Sequence, residues 1–458
     1  MITSRINRGV LCLLAVATIA TPVPSTAATI AGGGSYSVAM RADGVVFSWG
    51  RNYNGSLGTG SSNDAFTPQL AKLFSGAKSV AAGSSHTLIL KADGTVWSWG
   101  YNGYGQLGNG DTTSYSSPIQ VQYLSGITAV AAGDAHSLAL KSDGTVWAWG
   151  YNYYGQLGLS SGNKSAPLQI AGLSNVTAIA VGSNSSYALK SDGTVWAWGY
   201  NSDGELGNGS TSSSAVPVQV AGATGISAIA AGTKHVAALK QDGTVLTWGY
   251  NGYCQLGNTV DRYNSCQNST AAGAVSNLSG VAAVGASTRN SVALKVDGTV
   301  WAWGSNDSGQ LGNNSQTGYG KASLTPVQVS GLSSINEIAS SSGSHFLARK
   351  STGAVFSWGL NDYGQLGNNE GGRDSSYNTL IAAVPIQVAG PGGDGNLNLV
   401  SAGTVTTELC KGTVSMTTAL FVDFPCVTYN NVDYTLKLML DPSITTGTYF
   451  KTININPR

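Results

Sequence analysis

The sequence predicts an all-β fold, a seven-bladed β-propeller of four-stranded blades, and three observations carry that prediction. A tryptophan recurs at Trp49, Trp99, Trp149, Trp198, Trp248, Trp303 and Trp358, in steps of 50, 50, 49, 50, 55 and 55 residues. An Asp-Gly pair precedes it in six copies, starting at Asp43, Asp93, Asp143, Asp192, Asp242 and Asp297, with Thr352-Gly353 in the seventh. The strand leading into it, Val146-Trp-Ala-Trp149 in the third copy, is apolar or small throughout. A strand that does not alternate needs cover on both faces, and radial packing between two neighbouring blades supplies it. A β-sandwich would not require seven near-identical units; an open solenoid is the other way to stack them.

The chain opens on the pattern of a secretory signal, assigned to residues 1–28. Arg5 and Arg8 form a basic start, Val10 to Ala20 is an apolar run, and Pro22 and Pro24 break it. Ala27 and Ala28 then offer small residues for cleavage. Once the signal is removed no segment spans a bilayer, so a secreted, periplasmic or cell-surface protein is expected. A retained anchor is the competing reading. Cys12 lies inside the apolar run, which speaks against lipid attachment there.

The propeller is assigned to residues 29–390. Each unit begins with an apolar stretch such as Thr128 to Gly133, followed by His136 to Lys141. The Asp143-Gly144 turn leads to Thr145 to Trp149, a glycine-rich loop, and Pro167 to Ile170. These short runs bounded by Gly, Asp, Asn and Pro read as four strands, and Asp-Gly is a strong hairpin signal.

Residues 391–395, Pro-Gly-Gly-Asp-Gly, read as a linker or wide turn. Residues 396–458 form either a small disulfide-containing β module or a degenerate half-repeat that closes the ring. Apart from Cys12 the cysteines fall into two local pairs, Cys254 with Cys266 and Cys410 with Cys426, as expected for disulfides in an oxidising compartment. A metal site is the competing reading, but there is no Cys-x-x-Cys and no histidine near these cysteines in sequence.

In these units Ala131-Ala132-Gly133, His136, Leu138, Leu140, Asp143-Gly144, Trp147, Trp149-Gly150, Asn152 and Gly155-Gln156-Leu157-Gly158 follow a known pattern. They resemble the regulator of chromosome condensation repeat over about residues 30 to 390. The resemblance implies a seven-bladed propeller. It also implies two activities seen in that family. One is guanine-nucleotide exchange with chromatin binding. The other belongs to a secreted bacterial member, β-lactamase inhibitor protein II, which binds an enzyme with a propeller face.

Charged residues make up 10% of the chain and the formal net charge is +1, which gives no long-range field for nucleic acid or an anionic membrane. All eleven tryptophans occupy the two aromatic slots of the third strand and read as core. All four histidines, His86, His136, His235 and His345, share one slot that Tyr36, Ser185 and Asn290 fill elsewhere. That interchange suits a polar side chain satisfying a backbone group at a blade junction better than a metal ring. A recurring basic slot, Lys91, Lys141, Lys190, Lys240, Lys295, Lys350 and Arg41, reads as solvated strand ends. The Gly-Gln-Leu-Gly loops lack the Lys-Ser/Thr of a phosphate cradle. No cofactor or metal is expected, and no nucleophile–base arrangement is visible.

Departures from the repeat carry the functional expectation. Units five to seven have longer loops, over Thr259 to Ala271, Asn314 to Leu324 and Asn369 to Ala383. They present Arg262, Tyr263 and Asn264, then Tyr319 and Lys321, then Arg373 and Tyr377, and tyrosine and arginine are enriched at the energetic centres of interfaces. The expected function is therefore a secreted, monomeric, non-enzymatic scaffold that binds a protein or a surface polymer through this arc. A nucleotide-exchange factor and a polysaccharide-acting enzyme with paired carboxylates are the alternatives.

Overall fold

The computed structural model describes residues 28–400 apart from 73, 161, 259–265, 316 and 372–379, and beyond them the strands of one further sheet. Seven four-stranded antiparallel sheets follow one another over residues 30–70, 77–120, 127–169, 176–219, 226–274, 281–328 and 335–387. These are blades one to seven, and in each the chain runs outward from the first strand to the fourth. The innermost strands neighbour one another around the ring, and the first meets the seventh through a parallel bridge between Gly32 and Ser341. The sevenfold, four-stranded prediction is what the structure shows.

The third blade shows why the repeat folds this way. Its strands are Ile127–Ala132, His136–Lys141, Val146–Gly150 and Lys164–Gln169. The turn between the second and third is set by Asp143, whose carboxylate accepts from the amide of Thr145 at 3.0 Å and its hydroxyl at 2.6 Å. Gly144 takes φ +79°, a left-handed conformation that glycine adopts without strain. At the far end of the third strand Gly150 has φ +102°, and a Cβ there would stand 2.5 Å from the carbonyl oxygen of Ala135. Trp-Gly is therefore a unit: the tryptophan fills the core and the glycine lets the strand leave it.

The core lies between blades rather than within them. Trp149 belongs to blade three but packs among Leu88, Leu90, Val96, Val121 and Leu124 of blade two and its connector. Its indole Nε1 donates to the carbonyl of Gln106 at 2.8 Å. The same bond recurs at all seven junctions, from Trp99 to Ser56 round to Trp358 to Gln310, and Trp49 closes the ring on Gln365 at 3.0 Å. Trp49 shares its cluster with Leu347, Val355 and Val388 of the last unit.

Residues 388–400 run over that closing seam. A 3-10 turn at Pro391–Gly393 reverses the chain, and Leu397 and Leu399 are buried against Ile30, Phe47 and Trp49. The amide of Ala42 in blade one donates to the carbonyl of Leu399 at 2.9 Å. Further on, Ser415–Thr418, Phe421–Tyr429, Val432–Leu440 and Phe450–Pro457 form a four-stranded antiparallel meander. The Cys410 pairing lies outside the described residues, while Cys254 and Cys266 are joined by a disulfide.

Candidate functional site

Up-and-down connectivity puts the turn between strands one and two and the loop between strands three and four of every blade on one side, here the loop face. The Asp-Gly hairpins and the inter-blade connectors lie on the other, the hairpin face.

The histidines sit at the loop-face end of each second strand, fully buried. They bridge blades through a hydroxyl: Nε2 of His86, His136, His235 and His345 lies 2.9 Å from Oγ of Ser137, Ser186, Ser291 and Ser37 on the next blade. Each serine donates in turn to a loop carbonyl, at 2.8–2.9 Å to Gln106, Gln156, Gln255 and Gln365. With the serine proton so used, Nε2–H must donate, and burial pushes the four imidazoles down to about 3, hence neutral. The expected backbone partner is thus reached at one remove. Tyr36 does reach across, donating to the His86 carbonyl at 2.6 Å, whereas Ser185 and Asn290 bond within their own blades.

The recurring basic slot is also more than a solvated strand end. Lys190 Nζ stands 4.7 Å from the Trp196 ring centroid, Lys295 5.5 Å from Trp301 and Lys350 5.1 Å from Phe356. These rings are the first aromatic slot of the third strand, half-buried beneath the cations, while the second slot is fully buried.

On the loop face the residues after Trp-Gly build a continuous aromatic surface. Tyr101, Tyr104, Tyr151, Tyr153, Tyr154 and Tyr200 follow one another across blades two to four, with successive ring centroids 6.1, 4.8, 6.5, 5.0 and 4.7 Å apart. Lys234, from the inner turn of blade five, carries the arc onward, 5.5 Å from Tyr200 and 5.7 Å from Tyr250. Tyr250 meets Tyr253 at 6.3 Å, and Arg289 lies 4.3 Å over Tyr253. Both cations are anchored by carboxylates, Lys234 to Asp203 at 2.8 Å and Arg289 to Asp307 at 3.2 Å. A shorter piece, Tyr363–Arg51–Tyr53, spans blades seven and one. The rims of the arc are open, with Tyr153 77% and Tyr104 39% exposed.

Of the sequence-predicted loops, the one after the third strand of blade six is described almost throughout and lies on the same face. Tyr319 is 97% exposed and Lys321 is also exposed, on a turn tied to Asp307 by the Gly320 amide at 3.0 Å. This brings them next to the end of the arc. Arg262, Tyr263, Asn264, Arg373 and Tyr377 lie outside the described residues.

Among the described residues, three carboxylates of this face are engaged or buried. Asp203 accepts from Lys234 and from Asn268 at 3.0 Å. Glu205, which replaces the usual loop glutamine, is buried and its pKa is raised by that burial. At the mouth of the central channel Asp134 accepts a short hydrogen bond from Ser183, and burial raises its pKa as well.

A family model described as the RCC1-like domain matches residues 126–414, and RCC1 repeat models match 43–90 and 93–140. The chain belongs to the RCC1-like family. Human E3 ubiquitin-protein ligase HERC2 is 39% identical over 82 residues, which is 18% of this chain and 2% of that protein. Human protein RCC2 is 37% identical over 84 residues, 18% of this chain and 15% of that one. The RCC1-like chain thus aligns with only a small part of these relatives' length. Among solved structures, Prp20p from Saccharomyces cerevisiae superposes with a TM-score of 0.65 at 22% identity, covering 76% of this chain and 87% of that one. Human WBSCR16 gives 0.65 at 24%, covering 76% and 96%. These two likenesses establish the shared fold.

Among the described residues no helix is long and apolar enough to cross a membrane. None of them forms a group of three or more His, Cys, Asp or Glu side chains suited to a metal ion.

Proposed function

We propose that the chain is an exported, non-enzymatic propeller that binds another protein with its loop face. The observation that carries this reading is the tyrosine arc: a contiguous, open-rimmed aromatic surface with fixed cations, ending beside the exposed Tyr319–Lys321 turn. Tyrosine supplies large amphipathic contact at low side-chain entropy cost, and arginine and tyrosine anchor interfaces out of proportion to their number. The RCC1-like neighbour Prp20p was characterised with its binding to Gsp1p and histones, so use of this fold for protein binding has support in kind. An exchange activity finds less support, because the pattern of residues 1–28 points to export. The oxidised Cys254–Cys266 pair agrees with such a compartment. An acid–base enzyme would need free carboxylates on this face, and Asp203 and Glu205 are already engaged or buried.

The test is capture from host material by the mature protein, compared with a Tyr104→Ser/Tyr153→Ser variant. A partner retained by the first and lost by the second, at unchanged thermal unfolding, is expected. Equal capture by both would remove the arc from the binding site. A surface polysaccharide recovered in place of a protein would move the function to the alternative ligand class.

A further inference from the structure

One junction departs from the repeat, and it does so where the chain begins. In the innermost strand the third position is small in five blades: Ser79, Ala129, Ala178, Ala228 and Ala283. Its cross-strand partner on the second strand is Leu90, Leu140, Leu189, Leu239 or Leu294. Blade seven places Glu337 opposite Arg349 in that same register. The pair is joined at 2.8 Å and largely buried, with side chains 14% and 19% exposed. A small residue facing leucine has thus been replaced by an ion pair in blade seven.

The remaining lone pairs of Glu337 face the start of the first strand. One carboxylate oxygen accepts from the amide of Thr29 at 2.6 Å and from that of Ile30 at 3.2 Å. The other accepts from the Thr29 hydroxyl as well as from Arg349. The Thr29 nitrogen is the atom that becomes the chain terminus if residues 1–28 are removed.

We propose that Ala28–Thr29 is the processing site, and that the ammonium created there locks blade one to blade seven by pairing with Glu337. This inference rests on the reading of residues 1–28 as an export signal. A processing peptidase would supply the catalysis and water the atoms. The hydroxyl of a water adds to the Ala28 carbonyl carbon and the C–N bond breaks; the other water proton passes to the Thr29 nitrogen and the proton of the new acid completes its ammonium, leaving a carboxylate on Ala28. A neutral amide donor is thereby replaced by a cation on the same acceptor, and charge-assisted bonds are roughly twice as strong as neutral ones. Hydrolysis gives up one contact, the 3.0 Å bond from the Val80 amide to the Ala28 carbonyl. Ring closure would then be completed by maturation, with the last blade holding the new terminus of the first.

The experiment has two parts. The precursor is exported from a secreting host and its N-terminus sequenced; Thr29 is expected. A start at Met1 would overturn both the export reading and this inference, whereas a start at Ala28 would leave export standing and overturn the inference alone. Next, residues 29–458 with a free amine are compared with the same chain extended by Ala27-Ala28, in wild-type and Glu337→Gln backgrounds. The reporter is hydrogen exchange at the Met40 amide, which donates to the Thr29 carbonyl at 2.7 Å. Exchange on the order of tenfold slower with the free amine, and no such difference in Glu337→Gln, is expected. Equal exchange in the two wild-type chains, or a difference that survives Glu337→Gln, would refute the lock. If Glu337→Gln does not fold, acetylation of the Thr29 amine removes the charge with Glu337 intact and should restore fast exchange.

Discussion

The two faces of the propeller use polar residues differently. On the hairpin face, away from the seam, side-chain groups are largely satisfied close by in sequence: Asp143 holds Thr145, Asp242 holds Thr244 and Lys240, and Lys190, Lys295 and Lys350 lie over rings of their own blade. On the loop face polar groups are spent between blades, in the His–Ser–carbonyl relays and the Trp-to-loop bonds, while tyrosines are left at the rim. Apart from the Glu337 contact at the closing seam, the hairpin face finishes each blade, whereas the loop face joins the blades and keeps a surface for something else.

Acid should separate the two faces most strongly. The four histidines have folded pKa values of about 3, below the ordinary 6.5, so the unfolded chain binds protons that the native relays refuse. Their stabilisation is fully present above pH 6.5 and is lost as pH falls toward 3, each group contributing a slope of at most about 1.4 kcal/mol per pH unit. The raised acids Asp134 and Glu205 act in the opposite sense. Urea unfolding between pH 7 and 4.5 should show the histidine loss, and His136→Gln should flatten the slope by one proton. An unchanged slope would mean that the relay opens locally before the protein unfolds.

Next in size is the junction core. Trp149→Ala removes a fully buried indole and the bond to Gln106, and should cost about 3–5 kcal/mol in denaturant midpoint analysis. Tyr153→Ser, 77% exposed on the rim, should change stability by less than about 0.5 kcal/mol while weakening partner capture. Comparable losses of stability would make the arc part of the scaffold.

Much of this was legible in the sequence. Blade number, strand order and hairpins follow from tryptophan spacing and Asp-Gly, because left-handed backbone and burial on both faces restrict which residues fit. The arc was harder to read. Tyr101, Tyr151, Tyr200 and Tyr250 recur at one slot, and recurrence suggests scaffold; yet a slot repeated around a ring also points in one direction, and adjacent blades bring the rings within contact. The cations Lys234 and Arg289 come from a different strand pair and join the arc only after folding. The Glu337–Arg349 departure is visible in sequence, but its meaning depends on which blade closes against the first strand.

The smallest expected effect tests the hairpin face. Lys190 has an aromatic ring 4.7 Å beneath its Nζ. In blade five the same slot holds Leu246, and Lys240 instead pairs with Asp242 at 2.8 Å in the open. An exposed pair is screened by solvent and tied up by side-chain entropy, whereas a cation over an indole also covers apolar surface. Lys190→Ala should therefore cost about 0.5–1 kcal/mol and Lys240→Ala measurably less, with 0.5 M salt narrowing the second effect more than the first. Equal losses, equally sensitive to salt, would mean that the hairpin aspartates rather than the rings hold the lysines, and that the cover over the first aromatic slot is incidental.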